Sequence, residues 1–262
     1  QNQSSAASDV YKRQSLVFYN SYLPEIAFPH QQDRISAVGY SYGYVGSVLL
    51  LLINLMMVLF PSTFGFQDTI EPMKISFVMV GLWWAGFSQY TFYYLPKNQI
   101  QLSKKNFLKK SILFGGFYQL KNVWKLVKKQ ESIKKFLIAF FVFSCALQTI
   151  ILIATYFGEQ EIIWKEGEKQ IGLIICTLLI QLIAILGAML TAKISEKIGN
   201  IQTLIILNIF WFILCVGGYF IKYSYEFYVV AALVGLVMGG IQALSRSTYS
   251  KLIPPTENTC SY

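Results

Sequence analysis

One histidine in 262 residues, and four cysteines with no CxxC pair among them, leave too few parts for a zinc site or a histidine-based catalytic triad. His30 sits in a polar loop between Pro29 and Gln31. Cys145, Cys176 and Cys215 lie in apolar runs, where a thiol packs as a small hydrophobe, and Cys260 lies near the end. Charge is scarce as well: 13% of the residues are charged against 55% hydrophobic, and mean hydropathy is +0.48. These values exclude the soluble classes and describe an integral membrane protein. Acids are scarcer than bases, 13 against 22, and no Asp or Glu falls deep inside an apolar run. The intramembrane carboxylate that usually relays a proton or sodium ion in a carrier is therefore missing from this sequence. No metal or other cofactor is expected.

Positive charge, by contrast, is concentrated in one place. Lys97 to Lys135 holds eleven of the twenty-two Lys and Arg residues against one acid, Glu131. Runs of membrane-spanning length flank it, so it reads as a long loop retained on the cytoplasmic side. Within it Phe117, Leu120, Val123, Trp124 and Val127 share one side of a helical wheel, with Lys121, Lys125 and Lys128 gathered beside them. Such a helix either lies flat on the membrane, its lysines on anionic lipid headgroups, or serves as a solvated linker. The net charge of +9 thus has a local explanation, and no nucleic-acid partner is expected.

Residues 1–14, QNQSSAASDVYKRQ, are polar and lack the parts of a signal peptide. They resemble translated adapter or assembly read-through and are set aside as a non-native, disordered tail. Ser15 to Leu23 is apolar but short of the roughly 20 residues a span needs, and reads as the end of a helix stopped by Pro24. A polar loop with Asp33 and Arg34 follows to Val38. Six full spans come next, at 39–60, 73–95, 136–157, 171–192, 201–221 and 227–252. Counting bases places 24–38, 97–135, 193–200 and the segment from Lys251 inside, and 61–72, 158–170 and 222–226 outside. The fold class is all-α integral membrane, divided into 15–96, the basic linker 97–135 and a second group of helices over 136–262. Gly39, Gly43 and Gly46 in the first span, and Gly235 and Gly239 in the last, put small residues on one helix side, suited to close packing.

Polar side chains inside hydrocarbon need a partner or a cavity. Asn54, Gln89, Gln148, Thr149, Gln181, Asn208 and Gln242 are the candidates, either as interhelical hydrogen-bonding glue or as the lining of a common pathway. Arg246, near the end of its helix, is read as snorkelling to the headgroups or forming a gate salt bridge, ahead of substrate binding.

The turn KISEKIGN, Lys193 to Asn200, resembles the cytoplasmic signature of the major facilitator superfamily, Gly-xxx-Asp-Arg/Lys-x-Gly-Arg/Lys. Glu196, Lys197 and Gly199 sit at the acid, base and second-glycine positions; Ala192 and Asn200 depart from the first glycine and the final base. GLVMGGIQALSRSTYSKLIPP (Gly235 to Pro255), FYNSYLPEIA (Phe18 to Ala27) and DRISAVGYSYGYVG (Asp33 to Gly46) resemble the vacuole-effluxer-like branch of that superfamily, which includes bacterial permeases. FVFSCALQT, Phe141 to Thr149, departs from it, since relatives tend to carry a Tyr-Asn pair and a glycine before the Gln-Thr. The resemblance implies helices five to ten of a twelve-helix carrier with the end of helix four, and therefore a fragment. It further implies a multi-pass secondary transporter in a bacterial inner membrane, monomeric when complete, moving a small polar solute such as an amino acid by alternating access. Glu196, Lys197, Gly199 and Arg246 would form its cytoplasmic gate. A non-transporting membrane scaffold and a membrane-embedded enzyme are the alternative classes.

Overall fold

The computed structural model describes residues 20, 22–66, 70–94, 121, 124, 125, 128 and 130–253. Among the described residues the chain is built of helices: α1 (Leu23–Ile26), α2 (Gln32–Leu59), α3 (Ile70–Tyr94), α4 (Glu131–Gln160), α5 (Lys169–Ile198), α6 (Asn200–Gly218) and α7 (Ser224–Leu252). A 3₁₀ turn over Pro61–Phe64 joins α2 to α3. Five helices, α2 and α4 to α7, are long and apolar enough to cross a membrane. α3 has 25 residues but is not one of them. Trp83, Trp84, Tyr90, Tyr93 and Tyr94 stand where other spans carry aliphatic residues, and Lys74 and Gln89 add polarity.

Helix ends differ from the sequence expectations in an instructive way. α2 starts inside the predicted polar loop, with Asp33 in its first turn, where a carboxylate meets the positive end of the helix dipole. Pro24 opens the single turn of α1, a position at which a missing N–H costs nothing; of the helix end expected before it, Asn20 is helical and 15–19 and 21 lie outside the described residues. α5 runs through most of the predicted turn at 193–200 and leaves only Gly199 between itself and α6. Gly199 has φ of 89° and ψ of 155°, a region closed to residues with a Cβ, so the reversal in one residue depends on glycine.

The chain forms two compact units, one of Gln1–Val45 with Gly116–Tyr262 and one of Gly46–Gly115. In the first, α7 is the central element. Its residues from Ala243 to Thr248 are all buried, and it contributes to all three clusters of buried side chains. Leu147 of α4 and Leu207 and Trp211 of α6 pack on Val237 and Ile241; Phe136 and Leu204 pack on Leu244. Ala37, Ala188 and Ala192 meet Ala243.

The tightest contact is between α5 and α7. A methyl group built on Gly235 would strike the carbonyl of Ile180, one on Gly239 that of Ala184, one on Gly187 that of Leu236, and one on Gly240 the hydroxyl of Thr191. Lipid tails are as apolar as leucine, so helices in a membrane gain little by hiding hydrophobic area and associate through packing and hydrogen bonds. Bare backbone against bare backbone gives the shortest distance and the most dispersion contacts. Outward faces carry exposed Phe141, Leu152, Leu186, Phe212 and Leu233, a surface suited to hydrocarbon.

At the end of this unit remote from Lys193–Asn200, Trp164 braces the loop after α4. Its indole N–H donates to the Gly158 carbonyl at 2.7 Å, and its ring lies against Gly172 and edge-on to Phe227 and Tyr228. Ile163 N–H donates to the Lys222 carbonyl at 2.9 Å, tying that loop to the α6–α7 connection.

In the second unit, Gly46 makes ordinary contact with Trp83 at 3.8 Å, whose ring packs on Phe87. In the first unit, Gly43 makes no close approach: among the described residues nothing lies within 4 Å of a methyl built there. Most of the basic linker, including Phe117, Leu120, Val123 and Val127, lies outside the described residues. Lys121, Trp124, Lys125 and Lys128 are helical and exposed, with the Lys128 ammonium 5.7 Å from the Trp124 ring centre.

Gly239→Val is therefore expected to destabilise the protein by about 1–3 kcal/mol through overpacking, whereas Gly43→Ala stays neutral or gains a few tenths from helix propensity. Thermal melting in detergent, followed by the loss of monodisperse protein, measures both. Equal melting of the two variants would remove the α5–α7 contact from its central role.

Candidate functional site

Four helix ends converge on Asp33. The carboxylate is 4% exposed, and its Oδ2 accepts from Lys251 Nζ at 2.7 Å and from Ser195 Oγ at 3.1 Å. Its Oδ1 accepts from Asn200 Nδ2 at 2.8 Å. Asn200 also donates to Thr248 Oγ1 at 3.1 Å, and its Oδ1 accepts from Lys251 Nζ at 3.1 Å. One carboxylate and one carboxamide thus join the start of α2, the end of α5, the start of α6 and the end of α7. Burying a carboxylate is tolerable only with a counter-charge and filled lone pairs, and Asp33 has both. Close by, Ser36 Oγ donates to the Ala243 carbonyl at 2.7 Å, a second tie from α2 to α7.

A cavity of about 460 Å³ opens between α4 and α7. Helical spacing aligns Gln242, Ser245, Arg246 and Tyr249 along one face of α7, and Phe136, Phe140, Phe143 and Ser144 along the facing side of α4. Gln148 of α4, Tyr40 of α2 and Asn20 complete the polar part of the lining. Phe136 stacks on Tyr249 at 6.4 Å and on Phe140 at 6.1 Å, so the apolar wall is aromatic. Gln242 is held by Tyr44, whose hydroxyl donates to its Oε1 at 2.7 Å.

The residues expected from sequence divide accordingly. Gln148, Gln242 and Arg246 meet in the cavity, and Arg246 is only 9% exposed. Asn208 and Thr149 instead satisfy themselves on their own helices, Asn208 Nδ2 donating to the Leu204 carbonyl and Thr149 Oγ1 to that of Cys145. Gln89 is exposed, while Asn54 and Gln181 are half-buried, each with an amide oxygen that has no hydrogen-bond partner among the described residues. Glu196 and Lys197 are exposed. The polar contacts of the α5–α6 turn run through Ser195 and through Asn200, one of the two positions, with Ala192, at which the superfamily signature is broken. Sequence reasoning missed Asp33, Ser195, Thr248 and Lys251 in this role. An acid just before one span and a base in the last turn of another were the available signal, since both end on the same side by span counting.

The family model for Vacuole effluxer Atg22 like proteins matches residues 8–262, reaching into the amino-terminal stretch set aside above. The MFS-type transporter YxiO of Bacillus subtilis is 26% identical over 241 residues, covering 91% of this chain and 54% of the relative. Autophagy-related protein 22 of Pichia angusta is 28% identical over 264 residues, covering 87% and 46%. Autophagy-related protein 22-1 of Phaeosphaeria nodorum is 25% identical over 250 residues, covering 84% and 44%. The chain thus spans about half the length of the curated relatives it matches. No solved structure matches it.

Removing one partner of the buried cluster leaves the other uncompensated. Asp33→Asn and Lys251→Met are each expected to cost about 1.5–3 kcal/mol, the usual worth of hydrogen bonds to a charged group. A double-mutant cycle on melting temperature checks this: the two losses should be less than additive if the pair acts as a unit.

Proposed function

Because the chain belongs to the vacuole effluxer Atg22-like family, we propose that it forms the central part of a secondary transporter that moves a small polar solute, an amino acid in the first instance, by alternating access. The observation that carries this reading is the cavity between α4 and α7, apolar along one wall and polar along the other, with an ion-paired junction of four helix ends beside it. Cavities of this size and lining suit small molecules. Alternating access requires a contact that is complete in one state and broken in the other, and the Asp33–Lys251 cluster has the parts for one.

In this reading the basic loop and the Lys193–Asn200 turn lie on the cytoplasmic side of a bacterial plasma membrane, the loop resting on anionic headgroups. Asp33, Asn200 and Lys251 close the inner gate around Gly199. Glu196 and Lys197 stand exposed at its edge, free to pair with other parts of the transporter. The complete protein works as a monomer, without cofactor or nucleic acid. Gln148 and Gln242 face the solute; Asn54, Gln89, Gln181 and Asn208 serve helix contacts or the approach to the site.

Purified complete protein in liposomes is expected to show saturable uptake accelerated by the same solute on the other side. Gln148→Leu and Gln242→Leu should each lower the uptake rate about tenfold, the value of one lost hydrogen bond at a polar site, with membrane insertion unchanged. Wild-type flux that rises linearly with concentration would point to a channel. Insertion without any flux would point to a scaffold.

A further inference from the structure

The α7 part of the cavity's polar wall offers donors. On α7, Gln242, Ser245 and Arg246 lie on one face and all line the cavity. The Oε1 of Gln242 is already occupied by the Tyr44 hydroxyl, which leaves its Nε2 to donate. Ser245 is 3% exposed, and its hydroxyl has no hydrogen-bond partner among the described residues. Leaving such a group unpaired costs free energy, so it is poised for a ligand. Arg246 adds a cation whose planar fork of N–H groups matches a carboxylate. No Asp or Glu is among the described residues that line the cavity. The buried acceptor is neutral, the Asn20 amide oxygen.

We propose that Arg246, with Ser245 and Gln242, binds the carboxylate of the transported solute, while Phe136, Phe140 and Phe143 hold its apolar or aromatic portion. The site then selects for the acid group of its ligand and tolerates loss of the amine. This assignment rests on the transporter reading and makes Arg246 a specificity-determining residue in place of a gate residue. The geometry favours it: four positions of α7 face one cavity, and a guanidinium within it concentrates the local field where an anion would sit.

Three probes separate the groups: phenylalanine, 3-phenylpropanoate, which lacks the amine, and 2-phenylethylamine, which lacks the carboxylate. Equilibrium dialysis of each labelled probe against the purified complete protein reads the site without any need for transport. The two acids are expected to bind the wild type alike, and the amine about tenfold or more weakly, the worth of one charge-assisted pair. Arg246→Gln should weaken both acids by about the same factor and leave the amine unchanged, while Arg246→Lys retains part of the affinity because charge survives without the fork. The assignment is overturned if the amine binds the wild type as tightly as 3-phenylpropanoate, if none of the three binds, or if monodisperse Arg246→Gln protein keeps wild-type affinity for the acids. The wild-type comparison stands even where a variant fails to fold. Acid-selective binding without counterflow would overturn the transport reading and leave the carboxylate site intact.

Discussion

The separation of α5 and α7 is set by atoms of the main chain. Gly187, Gly235 and Gly239 meet carbonyl groups of the opposite helix with no room for a methyl group. In water this pairing would forgo the large gain from burying leucine or phenylalanine. In hydrocarbon that gain is absent, and closeness itself becomes the source of stability. The rest of the unit follows from this contact, because α7 drawn in this far becomes the axis on which α2, α4 and α6 also pack.

Towards its end, where every residue from Ala243 to Thr248 is buried, α7 has to place polar side chains inside the protein. α7 does so in two ways along its last three turns. Thr248 and Lys251 join Asp33 and Asn200 in a cluster where charge and lone pairs are matched within the protein. Gln242, Ser245 and Arg246 turn instead to a cavity. The two arrangements lie on one helix, which places a closed polar junction beside a polar cavity with room for a guest.

Much of this architecture could be read from the chain. Hydropathy runs located the helices, because length and apolarity are local properties, and the Gly235–Gly239 step signalled the close pairing of α7. The first glycine face had the same look, yet at Gly43 no described residue comes near; spacing reveals a smooth face and is silent on what faces it. The aromatic α3 shows a similar gap, since Trp and Tyr are counted as polar by hydropathy while suiting a membrane interface. For the site, Gln148 and Gln242 could be picked out as amides in hydrocarbon. Asp33 could not, because a carboxylate in a short polar stretch between apolar runs has the appearance of a solvated loop residue. Its burial comes from the extension of α2 below the apolar segment and from the single-residue turn at Gly199, both tertiary facts. The same turn explains why Glu196 and Lys197 stand outside and Asn200 inside.

The glycine row on α5 and α7 fixes how far apart the two helices stand and, with it, how each is turned. A methyl group on Gly187, Gly235 or Gly239 would already strike main chain, so any larger side chain turned into the seam would force the helices apart. The row therefore works as a key in a slot, holding the angle at which α7 presents Lys251 to Asp33 and Arg246 to the cavity.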